Sequence, residues 1–340
     1  MRDARPRRSP AVPSAGTSPE SSPVEISCPI CDGPVHLIFS DLYDDRYGYP
    51  GRHSIWGCRR CGHKVLGTPF TEAELGALYG GYYPRGALPL EDFRPKVELR
   101  GFGPWLEGER ASAFRWVPEN VRVLDIGCGF GETLAYHAAR GCDAHGIDAD
   151  ENLLRIAERY GLNARVGLFH ASDYEPESFD YVTLDQVIEH AIDPCALMRD
   201  VAAVLRPGGI AIITTPNSNG WGGRLLGRWW INWHVPYHLQ QFSRRSLEIL
   251  AEEAGLEVKS VRSLTNTRWL RLQWMHMFTR PPEAKASALW DPRRSKRRLP
   301  KRPTDAGWWL YRKKIFHVAT RTADAVGLGD NYLCFLQKPR

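Results

Sequence analysis

The stretch that most constrains the fold is VLDIGCGFGETL, residues 123–134: a short apolar run ends in Asp125, and glycines follow at every second position. Four further β-rich runs come before or after helix-like segments such as ENLLRIAERYG and DPCALMRDVAAVLRPGG; they read DAHGIDA, ARVGLF, FDYVTLDQ and GIAIITTPN. Alternating strands and helices predict an α/β fold with a doubly wound, mostly parallel sheet and helices on both faces. Ligands of such sheets lie at the carboxyl ends of the strands, where the glycine-rich turn falls.

The glycine spacing and one acid indicate which ligand this turn takes. A dinucleotide fingerprint requires GxGxxG, but here the third position is Glu132, with Gly131 one place early. Asp125, two residues before the first glycine, would repel a pyrophosphate and favour a ligand carrying an ammonium and a sulfonium. S-adenosylmethionine carries both and has no phosphate. Asp148 ends the next predicted strand, where it can accept hydrogen bonds from two ribose hydroxyls; taken alone, Asp125 could also simply satisfy a turn.

Four of the eight cysteines form two CxxC pairs near the N-terminus, Cys28–Cys31 and Cys58–Cys61, with 26 residues between the pairs. Each pair can place two thiolates on one ion at about 2.3 Å, and two pairs complete a closed tetrahedral set. The stretch between them has alternating apolar positions and a Gly-Tyr-Pro-Gly turn, which a long hairpin can use. We therefore predict a structural zinc ribbon, against the alternative of four reduced core cysteines. The sequence leaves open whether the ribbon grips a ligand or only stabilises and docks.

The composition bears on location. Cysteines arranged as metal thiolates favour a reducing compartment, and the apolar runs are too short to cross a hydrocarbon layer of about 30 Å. The first 25 residues carry arginines but lack the apolar stretch of a secretory signal, and their Pro, Ser and Ala content predicts a disordered tail. We expect a cytoplasmic protein, with peripheral contact at the inner face of the membrane as an alternative.

Residues 121–258 resemble the class I S-adenosylmethionine-dependent methyltransferases. VLDIGCGFGETL matches the first motif, GIDAD the second, and SFDYVTLDQVIEHAIDP and LRPGGIAIITTPN the next two strands with their loops. The sequence WHVPYHLQQFSRRSLEILAEEAGLEV is similar to the PxHLxxFs pattern of a bacterial subgroup that often carries an N-terminal zinc ribbon. The resemblance extends from about Cys28 to Val258 and includes the closing NYLCFLQKP. It implies a Rossmann-like sheet of seven mostly parallel strands and is specific for the cofactor, but loose for the substrate.

The resemblance also implies a cofactor site. Asp125 and the first two glycines would line the methionine end, Asp148 would bind the ribose, and Gln186 would stand beside the sulfonium. Leu168 and Phe169 would pack on the adenine, although half-buried core positions would read the same way. The complete predicted set is Asp125, Gly127, Cys128, Gly129, Asp148, Ala149, Leu168, Phe169, Asp185 and Gln186.

Two histidines are candidates for the chemistry. Methyl transfer depends mostly on positioning, but a hydroxyl acceptor needs a base, and a histidine with an ordinary pKa of about 6.5 suits that role. His190 follows the fourth predicted strand and His238 the fifth; we favour His238, since the loop after strand five commonly faces the acceptor. Capping a helix or bonding a carbonyl would explain either histidine as well. Glu189-His190 also resembles part of the metal-binding cluster of ubiquinone-biosynthesis O-methyltransferases, but Gln186 replaces its preceding acid, which argues against a catalytic metal.

The C-terminal quarter is strongly basic. Residues 268–340 contain 17 Lys and Arg against 5 Asp and Glu, and RWLRLQWMHMF mixes arginines with large apolar residues. Three roles compete: a helical lid with core aromatics, docking of 268–314 on an anionic membrane surface that presents a lipid-linked glycan, and binding to a nucleic-acid backbone.

Together these features predict five segments. They are a tail at 1–25, the ribbon at 26–70, a helical linker at 71–118, the cofactor-binding core at 119–265, and a basic, aromatic helical insertion with a closing strand at 266–340. The leading hypothesis is a methyltransferase acting on a hydroxyl of a sugar, glycan or other small molecule, in cell-surface polysaccharide or secondary-metabolite biosynthesis. The alternatives are an RNA methyltransferase that uses the ribbon and the basic segment, and a non-enzymatic scaffold that binds zinc and cofactor.

Overall fold

The computed structural model describes residues 27–84, 89–290 and 300–340. The predicted tail at 1–25 and most of the basic run at 291–303 lie outside these ranges. Within them, no helix has both the length and the apolar character that a membrane crossing requires.

The described chain forms two sheets and ten α-helices with short 3-10 turns between them. In chain order the elements are β1 (Val35–Tyr43), β2 (Arg52–Cys58), β3 (Lys64–Leu66), α1 (Glu72–Gly81), α2 (Phe102–Glu107), β4 (Arg122–Ile126), α3 (Glu132–Ala138), β5 (Asp143–Asp148), α4 (Asn152–Tyr160), β6 (Asn163–Val166), β7 (Phe179–Asp185), α5 (Pro194–Val204), β8 (Leu205–Pro216), α6 (Trp221–Leu226), β9 (Gln240–Gln241), α7 (Arg244–Glu253), β10 (Glu257–Leu264), α8 (Thr267–Thr279), α9 (Lys301–Arg312), α10 (Ile315–Ala325) and β11 (Asn331–Gln337).

The larger sheet has seven strands in the order β10-β11-β8-β7-β4-β5-β6. The β4–β5, β4–β7, β5–β6 and β7–β8 pairs are parallel, and only β11 runs antiparallel to its neighbours. The strand order reverses at β4, which lies between β5 and β7, and such a reversal opens a crevice at the carboxyl ends of the strands. This confirms the predicted α/β fold with a mostly parallel seven-stranded sheet.

The strands are apolar on both faces because helices cover both. Along β4, Leu124 and Ile126 join a core with α5 and α7, while Val123 joins a second core with α3 and α4. Alternation along a strand sends successive side chains to opposite faces, so Asp125 points to the same side as Val123. A carboxylate is therefore buried where an apolar residue is expected.

The smaller sheet combines distant parts of the chain. Its order is β1-β2-β3-β9, and every pairing is antiparallel. The first three strands come from the predicted ribbon, but β9 comes from residues 240–241, inside the predicted core. The two parts of the protein thus share one sheet.

In sequence, helices α8, α9 and α10 lie between the paired strands β10 and β11, and they pack against one another. Helix α8 also packs against the ribbon. Trp269 and Leu272 of α8 contact a small core with apolar residues of β1–β3 and of the loop after β8. Asp45, in the turn after β1, receives a hydrogen bond of 2.9 Å from Arg280 and lies 3.1 Å from the imidazole of His276. The helical reading of this segment therefore fits α8, whose side chains pack largely inside the protein.

Candidate functional site

The turn after β4 requires glycine. Gly127 and Gly129 both adopt positive φ, at 75° and 58°. A Cβ on Gly127 would come within 2.4 Å of a Val187 methyl, whereas a Cβ on Gly129 would meet nothing within 4 Å. The turn therefore packs against the residues that follow β7 on one side and is open on the other. A ligand can bind on the open side.

Asp125 is buried beneath this turn. One carboxylate oxygen accepts a hydrogen bond of 2.6 Å from Thr183, and the other accepts one from Thr133 of α3. Burial raises the pKa of Asp125 to about 6, although both hydroxyls favour the charged form. At neutral pH the site thus holds a largely ionised acid whose side-chain partners among the described residues are two threonines, an arrangement that favours a cation.

Asp148 lies at the carboxyl end of β5 and joins the same turn. Its carboxylate accepts hydrogen bonds from the Gly129 N–H at 2.9 Å and from the Asp150 N–H at 2.8 Å. Two acids from adjacent parallel strands therefore flank the glycines, as the sequence predicted for their placement.

A groove of about 690 Å³ continues along the ends of β5 and β6. Leu168, half exposed, lines it together with Ile147 and Val166, whereas Phe169 packs against the core and lies 5.7 Å from the ring of Tyr174. The volume suits a ligand of cofactor size. The two residues predicted to contact adenine are thus in different environments.

The remaining predicted cofactor residues also differ in exposure. Cys128 is buried with its sulfur toward Gly146, so only its backbone faces the turn, and Ala149 is exposed. Asp185 accepts a hydrogen bond from Thr214, and burial raises its pKa. Gln186 has a positive φ of 60° and donates its side-chain amide to the same threonine.

The structure brings both candidate catalytic histidines together. Their rings lie 4.8 Å apart, and metal-capable atoms of Glu189, His190 and His238 lie within 4.8 Å of one another. Nδ1 of His190 is 2.9 Å from the Tyr237 carbonyl, and Nδ1 of His238 is 2.8 Å from the Asn232 carbonyl. A carbonyl only accepts, so Nδ1 of His238 carries the proton and its Nε2 carries the lone pair. The same tautomer of His190 satisfies the Tyr237 carbonyl, and the Tyr79 hydroxyl is a second neighbour of that Nδ1 at 2.8 Å.

Burial sets the charge of this cluster. It lowers the pKa of His190 to about 4 and that of His238 well below its ordinary value, and it raises the pKa of Glu189 to about 8. At neutral pH the two imidazoles are neutral acceptors, and the carboxyl group is largely protonated. Both imidazoles of the cluster are therefore uncharged and have a nitrogen that can accept a proton.

The four paired cysteines form a second cluster, and three of them (Cys28, Cys58 and Cys61) belong to the buried core that α5 and α7 share with one face of the large sheet. The sulfurs of Cys28 and Cys61 are 3.5 Å apart, as are those of Cys31 and Cys58, and all four lie within 4.8 Å of one another. The four are free thiols without a disulfide. These distances match the edges of a tetrahedron around an ion about 2.3 Å from each sulfur.

Comparisons with known proteins point to one family. A family described as a methyltransferase domain matches residues 98–261. A ubiquinone biosynthesis O-methyltransferase of Pseudomonas aeruginosa is 32% identical over 168 residues, which span 44% of this chain and 72% of that protein. This chain belongs to the class I S-adenosylmethionine-dependent methyltransferases. A protein of the same name from Ralstonia nicotianae is 29% identical over 217 residues, 58% of this chain and 87% of that one.

This chain is also similar to solved structures of methyltransferases. The phosphoethanolamine N-methyltransferase 2 of Haemonchus contortus is 21% identical, with a TM-score of 0.41 over 67% of this chain and 50% of that one. The geranyl diphosphate C-methyltransferase of Streptomyces coelicolor is 14% identical, with a TM-score of 0.43 over 66% of this chain and 75% of that one.

Sequence reasoning missed the aromatic side chains that surround the two histidines of this methyltransferase. Tyr79 of α1 places its hydroxyl 2.8 Å from Nδ1 of His190. The ring of Tyr237 makes edge-to-face contacts with Tyr79 and with Tyr47 of the ribbon, and Tyr47 makes a third such contact with Tyr83. The repeated tyrosines at 79–83 were the available signal, but in sequence they resemble a linker.

Proposed function

We propose that this methyltransferase methylates a hydroxyl group on a small molecule, sugar or glycan, in the biosynthesis of a cell-surface polysaccharide or a secondary metabolite. The observation that carries the proposal is the pair of neutral imidazoles, His190 and His238, each oriented by a carbonyl on Nδ1. Both follow strands whose carboxyl ends meet the cofactor crevice. Relatives named O-methyltransferases support oxygen as the accepting atom.

In this proposal the cofactor is held by the predicted set around the glycine turn. Asp125 attracts the ammonium of the methionine end, Asp148 accepts the ribose hydroxyls, and Leu168 covers the adenine in the adjoining groove. When bound, S-adenosylmethionine supplies a methyl group on a positively charged sulfur. The buried Asp125, the partly exposed Asp148 and the open face above Gly129 support this placement.

His238 is the proposed base, with His190 beside it. As the acceptor oxygen forms its bond to the methyl carbon, the carbon–sulfur bond breaks and the hydroxyl proton passes to Nε2 of His238. The carbonyl on Nδ1 fixes the tautomer that leaves Nε2 free of a proton. The lowered pKa keeps that nitrogen unprotonated at neutral pH.

Buried polar atoms near the histidines support a hydroxyl-bearing acceptor. Oε1 of Glu189, Nε2 of His234 and the hydroxyl of Tyr237 are buried and have no hydrogen-bond partner among the described residues. Buried polar groups without partners are costly, so such atoms commonly mark a ligand position. The ring of His234 is 4.8 Å from those of both Tyr237 and His238, which places these atoms around one region.

We further propose that Cys28, Cys31, Cys58 and Cys61 hold one structural zinc ion. Four sulfurs at near-tetrahedral separations leave no coordination position open for a substrate. In this role the ion organises the two turns from which β1 and β3 start.

Membrane contact through residues 268–314 is the remaining proposal. Trp309 and Ile315 are exposed on α9 and after it, and Arg312, Lys313 and Lys314 lie between them. Exposed interfacial aromatics beside basic residues favour an anionic bilayer surface.

The test of the acceptor is transfer of a labelled methyl group. The purified chain is incubated with labelled S-adenosylmethionine and, separately, with sugar nucleotides, lipid-linked glycans, phenols and RNA. Label in a hydroxyl compound supports the proposal, label only in RNA favours the RNA alternative, and cofactor binding without transfer to any class favours the scaffold.

The role of His238 is tested in the same assay. For His238→Ala we expect kcat to fall about 10²–10⁴-fold with the cofactor Kd unchanged, because only the proton acceptor is lost. His145→Ala is the control, since that histidine lies on β5 and bonds to Asp143. Full turnover by the His238 variant would remove it from the mechanism.

A further inference from the structure

The shared sheet connects the cysteine cluster to the catalytic histidines. β3 pairs with β9, and the Leu66 N–H donates to the Leu239 carbonyl at 2.9 Å. Leu239 directly follows His238, and its own N–H donates to the Glu189 carbonyl at 2.8 Å. One ladder of backbone hydrogen bonds therefore runs from the ribbon, through β9, to the loop that carries His190.

A buried side chain repeats this connection. Oε1 of Gln240 lies 2.9 Å from Nε2 of His63, and its amide donates to the Ala191 carbonyl at 3.1 Å. Gln240 is 3% exposed and His63 is 1% exposed, so neither bond is shared with solvent. Gln240 thus joins a ribbon histidine to the residue that follows His190.

The ribbon end of both links lies beside a metal-ligand candidate. His63 is two residues after Cys61, its carbonyl accepts from the Cys58 N–H at 2.8 Å, and the Cys61 carbonyl accepts from the Ser243 hydroxyl. The turn that the Cys58–Cys61 pair closes therefore sets where β9 and its flanks are held.

We propose that the metal-bound ribbon is a positioning element for the acceptor side of the site, acting through β9 and Gln240 on His238 and His190. This inference rests on the proposed function for the role of the histidines. The hydrogen bonds of the cofactor turn cited above take another route: they join it to β5, β7 and α3 and do not pass through β9, although Gly127 packs on Val187 before the loop that carries His190. Metal occupancy then controls methyl transfer while cofactor binding continues.

The first experiment needs no acceptor. Zinc is removed from the full chain with a chelator, and amide hydrogen exchange is followed by mass spectrometry. We expect faster exchange in peptides covering 64–66, 189–191 and 239–241 and unchanged exchange across 124–131, with the Kd for S-adenosylmethionine held within about twofold. Unchanged exchange at 239–241, or equal acceleration across 124–131, would overturn the inference.

The second experiment cuts the link from the core side and leaves the cysteines intact. For Gln240→Leu we expect full metal content, unchanged cofactor KM and a kcat lower by about 10–100-fold, since small misplacements of reacting groups have effects of that size. His53→Ala is the matched control: this ribbon histidine is also buried, but its ring bonds to Thr68 and not to β9. Equal kcat losses in the two variants would contradict a positioning role.

The two proposals fail differently. If none of the hydroxyl compounds is methylated, the proposed function is wrong and kcat cannot be measured. The exchange experiment still shows whether the metal stabilises β9. If a hydroxyl is methylated and the rate of amide hydrogen exchange at β9 does not change when the metal is removed, only the positioning inference is wrong.

Discussion

Asp125 is a buried carboxylate in a core strand, and we propose that it also binds the cofactor. It occupies a strand position whose neighbours are apolar, and two threonine hydroxyls supply its hydrogen bonds. Hydroxyls stabilise a buried carboxylate without neutralising it, so its charge is available to a cationic ligand. The energetic cost of burying the charge appears as the raised pKa of this residue.

Asp125→Asn should weaken binding of S-adenosylmethionine by about 10–100-fold, since a charged hydrogen-bonding partner contributes about 1.5–3 kcal/mol. The amide keeps the shape of the side chain and removes only its charge. Titration calorimetry measures the effect, and Asp143→Asn, at the opposite end of β5, is the control. Equal affinities of wild type and Asp125→Asn would contradict the site.

The same residue predicts a pH dependence. With a pKa of about 6 in the free protein, Asp125 is charged above that pH and becomes neutral below it. A bound cation favours the charged form, so affinity should fall from pH 7 to pH 5, with proton release on binding near pH 6. In Asp125→Asn this slope should be absent; an unchanged slope would assign it to another group.

At the scale of single residues, the sequence predicts the positions of site residues that end or follow a strand of the core. It does not predict those of site residues contributed by the ribbon or by α1. Asp125, Asp148 and His190 each end or follow a recognisable apolar run, so the topology alone brings them to one edge. Tyr47 and Tyr79 reach the same place from the ribbon and α1, and no local pattern indicates that. Phe169 differs from Leu168 because its neighbour Tyr174 draws it into the core.

Among the elements, α2 is joined to the C-terminal helices by hydrogen bonds to the Glu107 carboxylate, and Arg321 of α10 also donates to the Trp105 carbonyl at 2.8 Å. Glu107 accepts hydrogen bonds from His317 at 2.7 Å and Lys314 at 3.1 Å, and also from Tyr311. Burial raises its pKa, but these hydrogen bonds outweigh burial and leave the pKa below its ordinary value. One charge thus accepts several of the hydrogen bonds between α2 and the C-terminal helices.

Glu107→Gln should lower the free energy of unfolding by about 1.5–3 kcal/mol at neutral pH, because hydrogen bonds to a charged group are lost. Since the folded pKa is lowered, this stabilisation is present above the unfolded pKa and is lost as pH falls through the folded value. The difference from wild type should therefore disappear in acid. Urea unfolding at several pH values measures it, with exposed Glu252→Gln as control; a constant difference would contradict the charge argument.

The strands and helices of the core follow from the sequence, but the composition of the smaller sheet does not. Apolar runs and helical periods locate β4–β8, α4 and α5, because each buries a face that its own residues define. β9 has only two residues, both glutamine, and its pairing with β3 depends on partners about 175 residues away. A strand that short has no periodicity to recognise.

On the scale of the whole molecule, net positive charge is concentrated in the C-terminal quarter, which also has exposed aromatic side chains. Among the described helices of this quarter, α8 buries several residues and exposes Phe278, whereas α9 and α10 expose Trp309 and Val318 at 51% and 61%. We therefore expect α9 and α10 to provide surface contacts. The sequence alone could not show which of these three helices is most exposed, because each contains aromatic and basic residues.

We expect the protein to sediment with vesicles containing phosphatidylglycerol at low salt, and to be released as salt screens the attraction. A double change, Trp309→Ala with Lys313→Glu, should abolish sedimentation because it removes an apolar anchor and reverses a charge. Leu37→Ala, exposed on the ribbon strand β1, should have no effect. Failure of the wild type to sediment at low salt, or equal binding to neutral vesicles, would contradict membrane contact.

The layer of α8, α9 and α10 leaves the sheet and returns to it at neighbouring positions, since Leu264 and Asn331 are paired across β10 and β11. Asn331 is in turn paired with Pro216 at the end of β8, so both junctions lie on the edge of the sheet where the crevice opens. The described helices α9 and α10 between these anchors can therefore vary without moving the strands, whereas α8 is constrained by its contacts with the ribbon. We expect such variation to change the protein surface while the strands that carry Asp125 and Asp148 keep their register.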